Sequence, residues 1–127
     1  MGLRIVNIVI GGAIGALTRY GLSGTVARIC GGQFPYGTLV VNWLGCLCMG
    51  LCTAFFRKQS WLGSEAQLLV MTGFLGSLTT FSTFAQDSVD LLQNGEYLMV
   101  ILNIAINTGG GLILVLLGMW LGTVIAV

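Results

Sequence analysis

The sequence predicts an all-α integral membrane protein with four transmembrane helices, and three observations carry that reading. The chain of 127 residues is 56% hydrophobic. It holds five Lys plus Arg and four Asp plus Glu, so 7% is charged, where a soluble domain carries roughly a quarter. Those charges leave four runs, residues 5–27, 29–56, 66–86 and 97–127, interrupted only by Arg19. Each run reaches the roughly 20 residues that a helix needs to cross hydrocarbon. A soluble bundle would need a polar outer face on each helix, and these runs have none. Four such helices leave no room for a separate soluble domain.

The first helix is expected over about residues 3–26. Arg4 before an apolar run has the outline of a signal peptide, but cleavage would leave nothing soluble behind. Met1-Gly2 lacks the N-myristoylation pattern, because Val6 stands where Ser or Thr is required. The turn-like Gly31-Gly32-Gln33-Phe34-Pro35 separates it from a second helix over about 36–56, with Pro35 near the first turn. The loop over residues 57–64 carries Arg57 and Lys58 and is the one basic spot. A third helix starts near Ser64, where Glu65 suits the positive helix end, and continues to about residue 92. Gln93-Asn94-Gly95-Glu96 forms a turn, and the fourth helix covers about 97–121. Short connections make consecutive helices antiparallel neighbours.

Twenty glycines in so short a chain ask for a packing role. Gly11 and Gly15 are four apart, and Gly50 and Ala54 repeat that spacing, which lets membrane helices approach closely. Gly109-Gly110-Gly111 suits either a contact face or a flexible point. Polar residues inside a membrane are costly unless they face protein or water. There are more of them here than one bundle seam needs, which favours a homo-oligomer. With both termini cytoplasmic, Arg4, Arg57 and Lys58 stand against Arg28 and, depending on depth, Arg19. That is a poor positive-inside bias, and it permits insertion in both orientations.

Several functions are excluded by composition. There is no histidine, hence no histidine relay, metal ligand or triad. The four cysteines, Cys30, Cys46, Cys48 and Cys52, complete no metal-ligand pattern and behave as small hydrophobes. A net charge of +1 without a basic cluster offers nothing to nucleic acid. No paired carboxylates or phosphate-cradling motif points to an enzyme.

The polar residues concentrate in the third helix. Five of the seven residues from Ser77 to Thr83 bear hydroxyls, downstream of Gly73 and Gly76. Hydroxyls compete for backbone hydrogen bonds and glycine weakens helices. Two outcomes follow: a break near residues 76–80, or a continuous helix whose hydroxyls bond to the preceding turn. An unwound segment at membrane depth must line protein or a cavity, and its carbonyls can hold a cation. Phe81 and Phe84 share a face and either pack against lipid or core, or turn their positive ring edges to an anion. Asn42 can donate from the middle of the second helix. Asn103 and Asn107, with Thr108, either join helices or line a path. Arg19 either snorkels to the far interface or concentrates anions at a vestibule. Donors without carboxylates favour an anion as the permeating species.

The runs Gly11-Gly12-Ala13-Ile14-Gly15-Ala16 with Arg19-Tyr20, Gly37-Thr38-Leu39 with Asn42 and Gly45, and Gly73-Phe74-Leu75-Gly76 leading to Thr79-Thr80-Phe81-Ser82-Thr83-Phe84 closely resemble the bacterial fluoride channels of the Fluc/CrcB family. The resemblance covers all four segments, and the third-helix run is its most specific part. It implies an antiparallel dual-topology homodimer in the bacterial inner membrane, with two fluoride pores and a broken third helix. It also implies a central Na+ held by the backbone carbonyls of Gly76 and Thr79. Phe81 and Phe84 would line the pores, Asn42 would donate to fluoride, and Arg19 would lie near an aqueous mouth. Thr80 and Ser82 belong to the same hydroxyl cluster, and Asn107 and Thr108 fall on the family's polar track. The nearest rival, a proton-coupled multidrug exporter, needs a membrane-embedded carboxylate that the charge-free runs lack. A non-transporting assembly subunit and a fluoride/proton antiporter are the remaining alternatives.

Overall fold

A computed structural model describes residues 1–58 and 63–125. The loop expected over 57–64 lies partly outside them. Four helices long and apolar enough to cross a membrane run over Gly2–Cys30, Tyr36–Lys58, Ser64–Gln93 and Tyr97–Ile125. They are called here the first to fourth spans. The first span stops where Gly31 and Gly32 take φ of 59° and 79°, a left-handed conformation that glycine adopts without a Cβ penalty. The Leu39 N–H then bonds the Pro35 carbonyl at 3.1 Å to open the second span. Between the third and fourth spans, Glu96 N–H reaches the Leu91 carbonyl at 2.9 Å over Gly95 at φ 77°. That is a glycine-terminated helix end closing orphan carbonyls.

The first two spans are regular and the last two are not. The third span begins with one ordinary turn, widens to π-helical geometry over Leu68–Leu75 and returns to α-helix for Gly76–Leu78. Thr79 and Thr80 then leave helical geometry, at φ/ψ of −78°/153° and −150°/110°. Helix resumes over Phe81–Gln93. Of the two outcomes open for the hydroxyl-rich run, the interrupted one is found. The bonding back also occurs, since Thr79 Oγ1 donates to the Leu75 carbonyl at 3.1 Å. In the fourth span a second wide turn covers Ile106–Gly110.

The first span packs mainly on the early part of the third, and the second on the late part of the fourth. These contacts exceed those between sequence neighbours, and glycine explains why. A Cβ at Gly15 would collide with the Phe74 carbonyl, and one at Gly50 with the Val115 carbonyl. Such backbone-to-backbone approach is how helices associate in lipid, where burial of apolar surface gives little drive. The internal apolar core is accordingly small, with Leu39, Val41, Ala54, Leu75, Leu78 and Leu91 buried. Most other large apolar side chains, such as Ile14, Leu17, Ile113 and Leu116, face outward, where lipid is their solvent.

Candidate functional site at the break in the third span

Two residues without helical geometry leave backbone groups that must be satisfied locally. Thr80 N–H would bond the Gly76 carbonyl in a continuous helix. Instead it donates to Asn42 Oδ1 at 2.8 Å. Asn42 Nδ2 returns a bond to the Thr80 carbonyl at 3.2 Å. The amide thus grips both backbone groups of one residue and holds the break open. The hydroxyl of Thr80 caps the helix that follows, accepting from Thr83 N–H at 3.3 Å and lying 2.8 Å from Thr83 Oγ1. A threonine at this position satisfies an orphan donor of the first turn.

Asn42 also starts a polar chain through the interior. Its Nδ2 donates to Asn107 Oδ1 at 3.2 Å, and Asn107 Nδ2 donates to Asn103 Oδ1 at 2.8 Å. Asn103 Nδ2 then donates to Ser88 Oγ at 2.9 Å, and Ser88 to the Phe84 carbonyl at 2.8 Å. Asn103 is fully buried, with no exposed surface. Of the two roles open to the fourth-span asparagines, helix joining describes Asn103. Asn107 also joins helices, since its side chain reaches Asn42, and it borders the cleft described next.

A cleft of about 420 Å³ opens beside the break. Asn42, Thr79, Thr80, Phe81, Phe84, Asn107 and Thr108 all line it, with Cys46 and Met49 on its apolar wall. No carboxylate is among its lining residues. Phe81 is 79% exposed and Phe84 is half-buried, their ring centroids 5.6 Å apart and tilted by 55°. Ser82 is not among the lining residues, but its hydroxyl lies 3.4 Å from Thr80 Oγ1. Seven residues singled out in the sequence therefore meet in one cavity.

A second cavity of about 210 Å³ lies across Thr80 from the first. Arg19, Tyr20, Ser23, Thr38, Thr80 and Thr83 line it. Arg19 Nη1 points to the Thr79 carbonyl at 3.5 Å, so it reaches inward to the break instead of lying along the lipid. The guanidinium is the only charge on this cavity's lining. Just beyond, Thr38 Oγ1 donates to Asp87 Oδ2 at 2.6 Å. That bond ties Asp87 of the third span to the second span.

Gly76 opens the last helical turn before the break, and Thr79 lies within the break. The Gly76 carbonyl has lost the donor that Thr80 N–H would supply, and the Thr79 carbonyl meets only the long Arg19 contact among its side-chain partners. Carbonyls freed in this way suit a hard cation such as Na+. Among the described residues no group of three or more His, Cys, Asp or Glu could hold a metal, and a carbonyl site needs none. Sequence reading missed Trp43 and Ser88. The i, i+4 step from Phe84 to Ser88 was available as a signal, but the contacts of Trp43 depend on a wide turn that no local pattern announces.

A profile described as CrcB-like protein, Camphor Resistance (CrcB), matches residues 6–119. A protein of Dehalococcoides mccartyi is 39% identical over 122 residues, covering 96% of this chain and 94% of its own. One from Aeromonas salmonicida is 48% identical over 111 residues, covering 87% and 89%. One from Maridesulfovibrio salexigens is 42% identical over 122 residues, covering 96% and 97%. All three carry the name fluoride-specific ion channel FluC. With four apolar spans and a match along nearly its whole length, this chain belongs to the CrcB/FluC family of multi-pass inner-membrane proteins.

Proposed function

We propose that this protein is a passive fluoride channel that lets fluoride leave the cytoplasm down its electrochemical gradient. The observation that carries the reading is the cleft at the third-span break, where amide, hydroxyl and phenyl groups meet without a carboxylate. The relatives' shared name supplies the ion. Hydrogen fluoride crosses membranes as a neutral acid and ionises inside, so fluoride accumulates when the surroundings are acidic. A membrane potential negative inside expels the anion at about 2.3 kcal/mol per charge for each 100 mV. No coupled energy source is needed.

Fluoride is strongly hydrated, so a selective path must replace water with donors. Thr80, Ser82 and Thr108 offer hydroxyls. Asn42 offers amide N–H groups now given to the Thr80 carbonyl and Asn107 Oδ1, and Asn107 those given to Asn103 Oδ1; fluoride would take the place of one of these acceptors. Phe81 and Phe84 present positive ring edges to the anion. Arg19, over the second cavity, raises the local anion concentration at the mouth of the path.

The protein works as an antiparallel homodimer with two pores. Phe81 and Gly76 are exposed on a single chain, and a second copy, inserted the other way, covers them. The weak charge bias supports dual insertion. The Gly76 and Thr79 carbonyls of both copies would hold Na+ at the dimer centre. Two carbonyls from one chain leave a hard cation under-coordinated, so the four from both chains would be needed. A cation there would tie the two breaks together and set a positive charge near the paths.

Liposomes containing only the purified protein test this function. Voltage-driven fluoride efflux without chloride efflux is expected, at the same rate with the proton gradient clamped. No flux from folded protein would favour an assembly subunit, and flux that needs a proton gradient would make it a transporter.

A further inference from the structure

The wide turn at residues 106–110 needs a cause, because a π-turn sacrifices packing and hydrogen-bond geometry and persists mostly at functional positions. The fourth span is free of proline here, and Gly109-Gly110-Gly111 loosen it, but glycine alone does not hold a widened turn in place. The cause lies across the interface. Trp43 Nε1–H donates to the Ile106 carbonyl at 3.1 Å. At the other end of the turn, Gly111 N–H bonds the Asn107 and Thr108 carbonyls. The indole thus gives the first carbonyl of the widened turn a donor from another helix.

The same ring sets the far end of the turn. A Cβ at Gly110 would lie 2.7 Å from Trp43 Nε1 and 2.8 Å from two of its ring carbons. The indole fits because position 110 has no side chain. It spans the turn, with its N–H at residue 106 and its ring face at residue 110. Asn107 and Thr108, both on the cleft, lie between these two holds. Trp43 itself does not line the cleft.

We infer that Trp43 is a positioning residue for the conduction path: it holds the π-turn of the fourth span and thereby aims Asn107 and Thr108 at the cleft. The inference rests on the fluoride-channel reading for its functional consequence, but its structural half stands by itself. A regular α-turn would shift the register by one residue, about 100° of rotation at 3.6 residues per turn. Asn103 and Asn107, four apart, would still share a face, but Asn107 could not then bond Asn42 while Gly110 and Gly111 met Trp43 and Cys46. Gly110 is the complementary feature, and its small size is what admits the indole.

Two variants and two readouts decide this. Trp43→Phe keeps an aromatic ring and removes the donor, and Gly110→Ala puts a methyl group against the indole. Hydrogen–deuterium exchange of the purified channel, read on a peptide covering residues 106–111, should rise at least severalfold in both, with the rest of the fourth span unchanged. Fluoride efflux per folded channel should fall roughly five- to tenfold in Trp43→Phe, as for loss of one buried hydrogen bond, with only a small drop in melting temperature. The double variant should be no worse than the more severe single one, because both act on one contact. Unchanged exchange at 106–111 overturns the hold on the turn, whatever the flux. Faster exchange with wild-type efflux overturns the functional half, as does strict additivity. Absence of fluoride flux from the wild type sinks the channel reading, while the exchange result still decides what Trp43 holds.

Discussion

Asn42 and Trp43 are consecutive residues on a regular helix, yet they serve two different irregularities. Asn42 grips Thr80, where the third span loses helical geometry altogether. Trp43 spans the turn at 106–110, where the fourth span widens and stays helical. Successive side chains on a helix point about 100° apart, so one rod can address two neighbours from adjacent positions. The difference lies in the hold. A broken backbone needs two hydrogen bonds from a compact amide, and a widened turn needs one bond and a flat ring. The second span is thus the rigid member, and the two spans that bear the polar groups are shaped against it.

Breaking the larger hold should have the larger effect. Asn42→Ala leaves the Thr80 N–H and carbonyl without partners in a buried setting, at roughly 1–3 kcal/mol each. Fluoride efflux should drop by about two orders of magnitude or more, with a lower melting temperature. Wild-type efflux from this variant would show that the break holds itself. Asn103→Leu sharpens the comparison by removing the polar chain behind Asn107 while sparing both holds. Interhelical hydrogen bonds in membranes average about 0.6 kcal/mol with a maximum near 1.7, so a loss of about 1–2 kcal/mol in stability is expected in chemical denaturation. Efflux should fall only a few-fold, because Asn42 still grips Thr80.

The smallest effect belongs to the far end of the molecule. Arg4 Nε lies 3.3 Å from Glu65 Oε1, with Asn7 Nδ2 donating to the same carboxylate at 2.9 Å. The arginine side chain is 61% exposed, and exposed ion pairs contribute about 0–1 kcal/mol. Arg4→Gln should leave efflux unchanged and stability within that range. A strong loss of conduction would mean that the first and third spans are coupled to the path through their ends.

The four spans were legible because charge-free runs of that length have few other solutions in water or lipid. The hydroxyl-rich run announced a break but not its place. Thr79 and Thr80 were selected by Asn42, thirty-eight residues away in sequence, and local propensity cannot see that partner. Arg19 and Asn107 each allowed two readings, because depth and direction depend on how neighbouring spans pack. Gly109-Gly110-Gly111 resolved as a contact at Gly110, against Trp43, and at Gly111, against Cys46, with open space at Gly109. The wide turns were invisible altogether. A π-turn has no composition of its own, and its reason sits on another helix.

We propose that fluoride crosses through the cleft at the third-span break. The most direct test is fluoride efflux from liposomes carrying Phe81→Ile, compared with wild type at matched amounts of folded protein. Phe81 is largely exposed on the chain and holds no hydrogen bond, so the variant should fold normally. Its ring edge should be lost from the path, and efflux should fall at least tenfold. Wild-type rates from the folded variant would contradict the account and place the path elsewhere.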